Sequence, residues 1–107
     1  MAWMYLVLAG LLEIVWAFAM KLSEGFTRTG ATVVTFVAML ASVGLLSIAM
    51  KTLPLGTAYA VWTGIGAAGA FVVGVLVLDE APTVGRIAGA ALIVAGLALL
   101  KWATPPA

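Results

Sequence analysis

The sequence has no cysteine and no histidine. Without thiols there is no disulfide, no thiolate nucleophile and no zinc site of the usual kind, and without imidazole the commonest acid–base catalyst is missing. Enzyme chemistry is left with little material, so no enzymatic activity, no metal and no cofactor are expected. Charge is almost as scarce: five Lys and Arg and four Asp and Glu make up 8% of 107 residues, for a net charge of +1. Nucleic-acid binding therefore has no electrostatic support. What remains is apolar, 65% of the chain at a mean hydropathy of +1.27. An ordinary soluble domain is about half apolar and about a quarter charged, so the surroundings of this chain must be lipid.

A bilayer core about 30 Å thick takes roughly 20 helical residues per crossing. Four crossings nearly exhaust the chain, and an all-α membrane protein follows: one compact transmembrane domain over residues 1–107, with helices near 2–20, 31–50, 54–78 and 84–102. The charged and glycine-containing run Lys21 to Gly30 is the first loop, Lys51 to Leu53 is almost no loop, and Asp79 to Arg86 is the third. The closing ATPPA is expected to be unstructured. Ala17-Phe18-Ala19 imitates a signal-peptidase site, but the run before it has no basic start and contains a glutamate, so no cleavage is expected. Lys51 and Lys101 would lie on one side of the membrane, and Lys21, Arg28 and Arg86 on the other. With the amino terminus on the poorer side this is close to a tie, and a chain without orientation bias inserts both ways. Opposed copies would then meet as an antiparallel, dual-topology homodimer.

Glu13 is the one charge in the first run and sits about 17 Å along a helix begun at Ala2, near mid-membrane. An acid there costs roughly 2.5–3.5 kcal/mol on insertion scales. Hydrocarbon favours its neutral form and a bound cation favours the carboxylate, so proton and cation compete for one group, which is the physical basis of exchange. Gly10, Glu13 and Trp16 share a helix face; the glycine would leave space beside the carboxylate, and the indole would offer a π face. Tyr59 and Trp62 share a face in the third span, an aromatic wall for a cation, and the Tyr59 hydroxyl could donate to Glu13. Ser42, midway along the charge-free second span, either bonds back to its own helix or orients Glu13. Gly64 and Gly66 permit a bend or close packing. Gly89, Leu92 and Gly96 lie along one face of the fourth span and would form a dimer contact. Trp3 and Tyr5 belong to the interfacial aromatic belt, and Lys101 is an interfacial anchor or a charge flanking the site.

GLLEIVWAFAMK (Gly10 to Lys21), SEGFTR (Ser23 to Arg28) and PLGTAYAVWTGIG (Pro54 to Gly66), together with the four-span pattern, make the chain resemble the small multidrug resistance transporters. Trp16 after Glu13, Lys51 to Pro54, Thr57 and Lys101 are most similar to the guanidinium-exporting branch of that family. The resemblance implies an antiparallel homodimer in the bacterial inner membrane that exchanges guanidinium-type cations for protons. Glu13 would be the shared carboxylate, Gly10, Trp16, Ser42, Tyr59 and Trp62 the pocket, Gly64 and Gly66 a bend, and Gly89 to Gly96 the dimer motif. Two rivals remain open: export of quaternary ammonium or aromatic cations, and a non-transporting assembly subunit in which Glu13 only bonds a neighbouring helix.

Overall fold

A computed structural model describes residues 1–104; of the tail expected to be unstructured, Ala103 ends the last helix and Thr104 caps it, and the two prolines and final alanine lie outside the described residues. Four helices, α1 (Ala2–Leu22), α2 (Thr29–Ala49), α3 (Leu55–Val77) and α4 (Val84–Ala103), account for almost all of it. Each is long and apolar enough to cross a bilayer.

The helix ends show why the first loop is shorter than the charge pattern suggests, while the second runs over residues 50–54, longer than expected. Lys21 falls in the last turn of α1, where a cation complements the exposed carbonyls, so the helix continues through it. It stops at buried Ser23, whose hydroxyl donates to the Met20 carbonyl (2.6 Å) and accepts from the Phe26 N–H (3.0 Å). Glu24, Gly25 and Phe26 then take positive φ values of 49°, 74° and 66°, reversing the chain within a few residues. Thr29 and Gly30, read from sequence as loop, form the first turn of α2.

Between α2 and α3 the chain turns at Pro54, whose φ of −61° and ψ of 147° make it the residue before the helix and not its first member. α3 ends when Asp79 enters the left-handed region at φ 56° and the N–H groups of Leu78 and Glu80 both return to the Gly74 carbonyl. Thr83 opens α4, its hydroxyl accepting from the Arg86 N–H.

The helices do not close into a bundle. They stand in a row, α2 beside α1, α1 beside α3 and α3 beside α4, with α2 and α3 only brushing each other. The result is a slab of 42 × 34 × 16 Å, where a compact unit was expected. Lipid explains the difference: hydrocarbon solvates an outward leucine as well as a neighbouring helix does, so nothing forces the row to curl shut. The hydrophobic core cluster lies at one end, where Leu6 and Ala9 of α1, Leu46 and Ala49 of α2, and Leu53, Ala58 and Val61 around the start of α3 come together. α4 has no buried residue at all.

Candidate functional site

Directly beyond that core, α1 and α3 come into register through glycine. A Cβ at Gly66 would overlap the Glu13 carboxylate, and one at Gly69 would overlap Ile14. The side of α3 that carries Tyr59, Trp62, Gly66 and Gly69, at helical offsets of three and four, is therefore the side that receives Glu13. Gly64 points the other way, where a Cβ would strike Leu97 of α4. Both glycines expected to bend α3 are thus close-packing positions, on opposite faces of a helix that runs continuously from Leu55 to Val77.

The space next to Glu13 is not made by Gly10, as the sequence suggested. A Cβ at Gly10 would run into the Ile65 side chain, so that glycine brings α1 and α3 together one turn nearer the core. Ile65 is the residue sequence reasoning missed, and Gly66, named there for a bend or close packing, is the one that meets Glu13. The run of small residues in α3 reports close approach but not to which neighbour.

Ser42 is completely buried and does neither of the things expected of it. Its hydroxyl donates to the Ala9 carbonyl of α1 (2.6 Å) and accepts from the Trp62 indole N–H of α3 (3.0 Å). One hydroxyl on α2 therefore ties both other helices of the site together. Helix pitch assigns that same Ala9 carbonyl to the Glu13 backbone N–H, so Ser42 acts on the turn carrying Glu13 and not on its carboxylate. Thr35, by contrast, bonds back to Ala31 of its own helix (2.8 Å).

Tyr59 and Trp62 do form an aromatic pair, with ring centroids 5.6 Å apart and planes tilted by 52°. Tyr59 is 53% exposed and makes no side-chain hydrogen bond with Glu13 among the described residues. Glu13 Oε1 and Trp16 Nε1 are buried without a hydrogen-bond partner. The ion pairs among the described residues, Glu24 with Arg28 in the first loop and Glu80 with Arg86 at the start of α4, leave Glu13 without a cation. A buried acceptor and a buried donor that find no partner are both expensive. In hydrocarbon such a carboxyl group has two economical states, the neutral acid and the carboxylate matched by a cation.

Of the remaining candidates, Leu92 and Gly96 border the same open groove as Tyr59. Gly89 and Gly96 have open space where a Cβ would stand, and Leu92 is 74% exposed, so their face of α4 has no partner within the chain. Lys101 stacks its ammonium 5.2 Å above the Trp3 ring, at the core end of the slab and away from Glu13. Thr57 and Thr104 share a hydroxyl hydrogen bond (3.1 Å) that joins the start of α3 to the end of α4.

Comparison with known proteins agrees with this architecture. The family described as Small Multidrug Resistance protein matches residues 1–93. Proteins named guanidinium exporter are similar over nearly the whole chain: those of Yersinia pseudotuberculosis (54% identical over 104 residues, covering 97% of this chain and 100% of the relative), Escherichia coli (53%, covering 97% and 99%) and Citrobacter freundii (52%, covering 97% and 99%). A family match over most of the length, relatives above half identity and four membrane-crossing helices lead to one conclusion: the chain is a multi-pass membrane protein and belongs to the small multidrug resistance family.

Proposed function

We propose that this protein exports guanidinium-type cations across the bacterial inner membrane in exchange for protons, and that it does so as an antiparallel homodimer. The observation that carries the reading is Glu13: a mid-membrane carboxyl oxygen, buried, unpaired, set against Gly66 and without a cation of its own. The names of relatives sharing more than half their residues supply the substrate class.

The chemistry follows from the shape of the solute. Guanidinium is planar and permanently charged, and its N–H fork fits a carboxylate. Two Glu13 side chains, one from each copy, would flank it, while the Tyr59 and Trp62 rings present π faces. The Ser42 hydroxyl holds the Trp62 indole in place for this role. Because the solute does not titrate near neutral pH, acid acts on the protein alone: protonated Glu13 has no charge to offer, and the cation leaves. If each of two carboxyl groups takes up a proton as one cation departs, one net charge moves inward, worth about 2.3 kcal/mol per 100 mV.

Several features support the paired arrangement. The Lys and Arg are split almost evenly between the two sides. The slab is 16 Å thin, and the Gly89–Leu92–Gly96 face of α4 is uncovered. Small residues on such a face let another helix approach closely.

The family's multidrug description favours one competing reading, export of bulky quaternary ammonium cations. Those lack N–H donors and reward aromatic area over placed acceptors. The decisive experiment is pH-dependent guanidinium binding and flux in reconstituted protein, beside tetra-alkyl ammonium. Binding should weaken in acid and vanish with Glu13→Gln. Guanidinium flux that persists in Glu13→Gln refutes the mechanism, and ammonium flux exceeding guanidinium flux favours the rival.

A further inference from the structure

α3 carries two glycine notches, and each has a carboxylate over it. Glu13 fills the notch at Gly66; at Gly74 a Cβ would meet the Glu80 carboxylate. Eight residues separate the notches, about 12 Å along the helix. Glu80 is held there by the chain reversal at Asp79 and by its own N–H on the Gly74 carbonyl (3.0 Å). On α1, Glu13, Ala17 and Lys21 follow one another at offsets of four, as Gly66, Ala70 and Gly74 do on α3. One turn beyond Glu13, a cleft opens between these two rows as a cavity of about 300 Å³ lined by Ala17, Lys21, Ala70, Phe71, Glu80 and Arg86 among others, Glu13 itself not being part of the lining.

What occupies the Glu80 carboxylate is informative. The Arg86 guanidinium donates to Glu80 Oε1 (3.0 Å) and lies 5.3 Å above the Phe71 ring. A carboxylate on one side and an aromatic face on the other is the environment proposed for the solute at Glu13, and here it holds the same planar cation, supplied by the protein. Arg86 is further held by the Ala81 carbonyl (2.7 Å). Both partners of the ion pair are somewhat over a third exposed, at 41% and 38%, and partly exposed pairs are weak and readily exchanged.

We propose that Glu80 and Phe71 form a second, shallower cation site at the mouth of the α1–α3 cleft, where Arg86 is a tethered occupant that a free guanidinium-type cation displaces on its way to or from Glu13. Lys21 on the facing wall carries no ion pair among the described residues and disfavours accumulation of cations, so the site passes the solute on. The inference rests on guanidinium being the substrate class.

The test uses the intact protein in liposomes, with guanidinium flux measured against concentration for wild type, Glu80→Gln, Arg86→Gln and Phe71→Leu. If Glu80 binds solute, Glu80→Gln and Phe71→Leu each raise KM roughly three- to tenfold while the maximal rate stays within about twofold. Arg86→Gln, which removes the tethered competitor, lowers KM. A merely structural ion pair predicts otherwise, because Glu80→Gln and Arg86→Gln break the same contact and would move KM in the same direction or leave it alone; either result overturns the proposal. Glu80→Asp keeps the charge and restores most of the wild-type KM even if Glu80→Gln inserts poorly. Wild-type protein that carries no guanidinium would instead refute the proposed substrate and is read separately.

Discussion

Replacing Ser42 with alanine tests the central joint of the site. The hydroxyl donates across to Ala9 at 2.6 Å and accepts from Trp62 at 3.0 Å. After Ser42→Ala the Ala9 carbonyl keeps its helical partner, so that loss is small, whereas the Trp62 N–H is left with none. Interhelical hydrogen bonds in membranes average about 0.6 kcal/mol with a maximum near 1.7, and a stranded buried donor costs about 1–3 kcal/mol. Trp62 is only partly buried, which places its share at the lower end. The sum is about 1–2 kcal/mol, a five- to thirtyfold change in the folded-to-unfolded ratio. Reversible unfolding in bicelles measures it, and a cycle with Trp62→Phe isolates the bond: once the indole N–H is gone, Ser42→Ala should be milder by about 0.6–1.7 kcal/mol. Strict additivity of the two substitutions would show that the hydrogen bond contributes nothing and would refute the reasoning.

Gly66→Ala pushes a methyl group into the Glu13 carboxylate and should destabilise by about 1–3 kcal/mol; guanidinium binding should fall by more than that stability loss explains. Asp79→Gly relieves a left-handed backbone at a residue with a side chain, and thermal unfolding should show a gain of up to about 1 kcal/mol. Thr57→Val removes the link to Thr104, whose hydroxyl still reaches the Leu100 carbonyl (2.6 Å), so the loss should stay below about 1 kcal/mol.

Glu13 stands out in the sequence because of its cost: a single acid in the otherwise uncharged run from Ala2 to Met20 needs no structure to be noticed. The pairing of Tyr59 with Trp62 was legible for a similar reason, since helical spacing fixes which residues share a face. Periodicity does not say what lies opposite a face. Ser42 stood out as a hydroxyl midway along a charge-free span, yet its partners Ala9 and Trp62 come from two other helices and leave no mark on its own. Gly10 and Gly66 look alike in sequence and differ only in which neighbour fills the gap, Ile65 or Glu13. Glu80 and Arg86 read as solvated loop charges because nothing about an aspartate at 79 demands the left-handed turn that folds them back over α3. The open row of helices was hidden too: hydropathy counts spans but does not distinguish sides that face lipid from sides that face protein.

The thinness of the slab has a consequence for behaviour in the bilayer. A row 16 Å deep has two broad faces and almost no inside, so a solute resting on Glu13 of a solitary chain would have hydrocarbon at its back. In the proposed dimer a second molecule supplies that enclosure, and working units would arise by collision within the membrane plane. Their abundance would then scale with surface density, so on that proposal turnover per chain should decline as the protein is diluted into excess lipid.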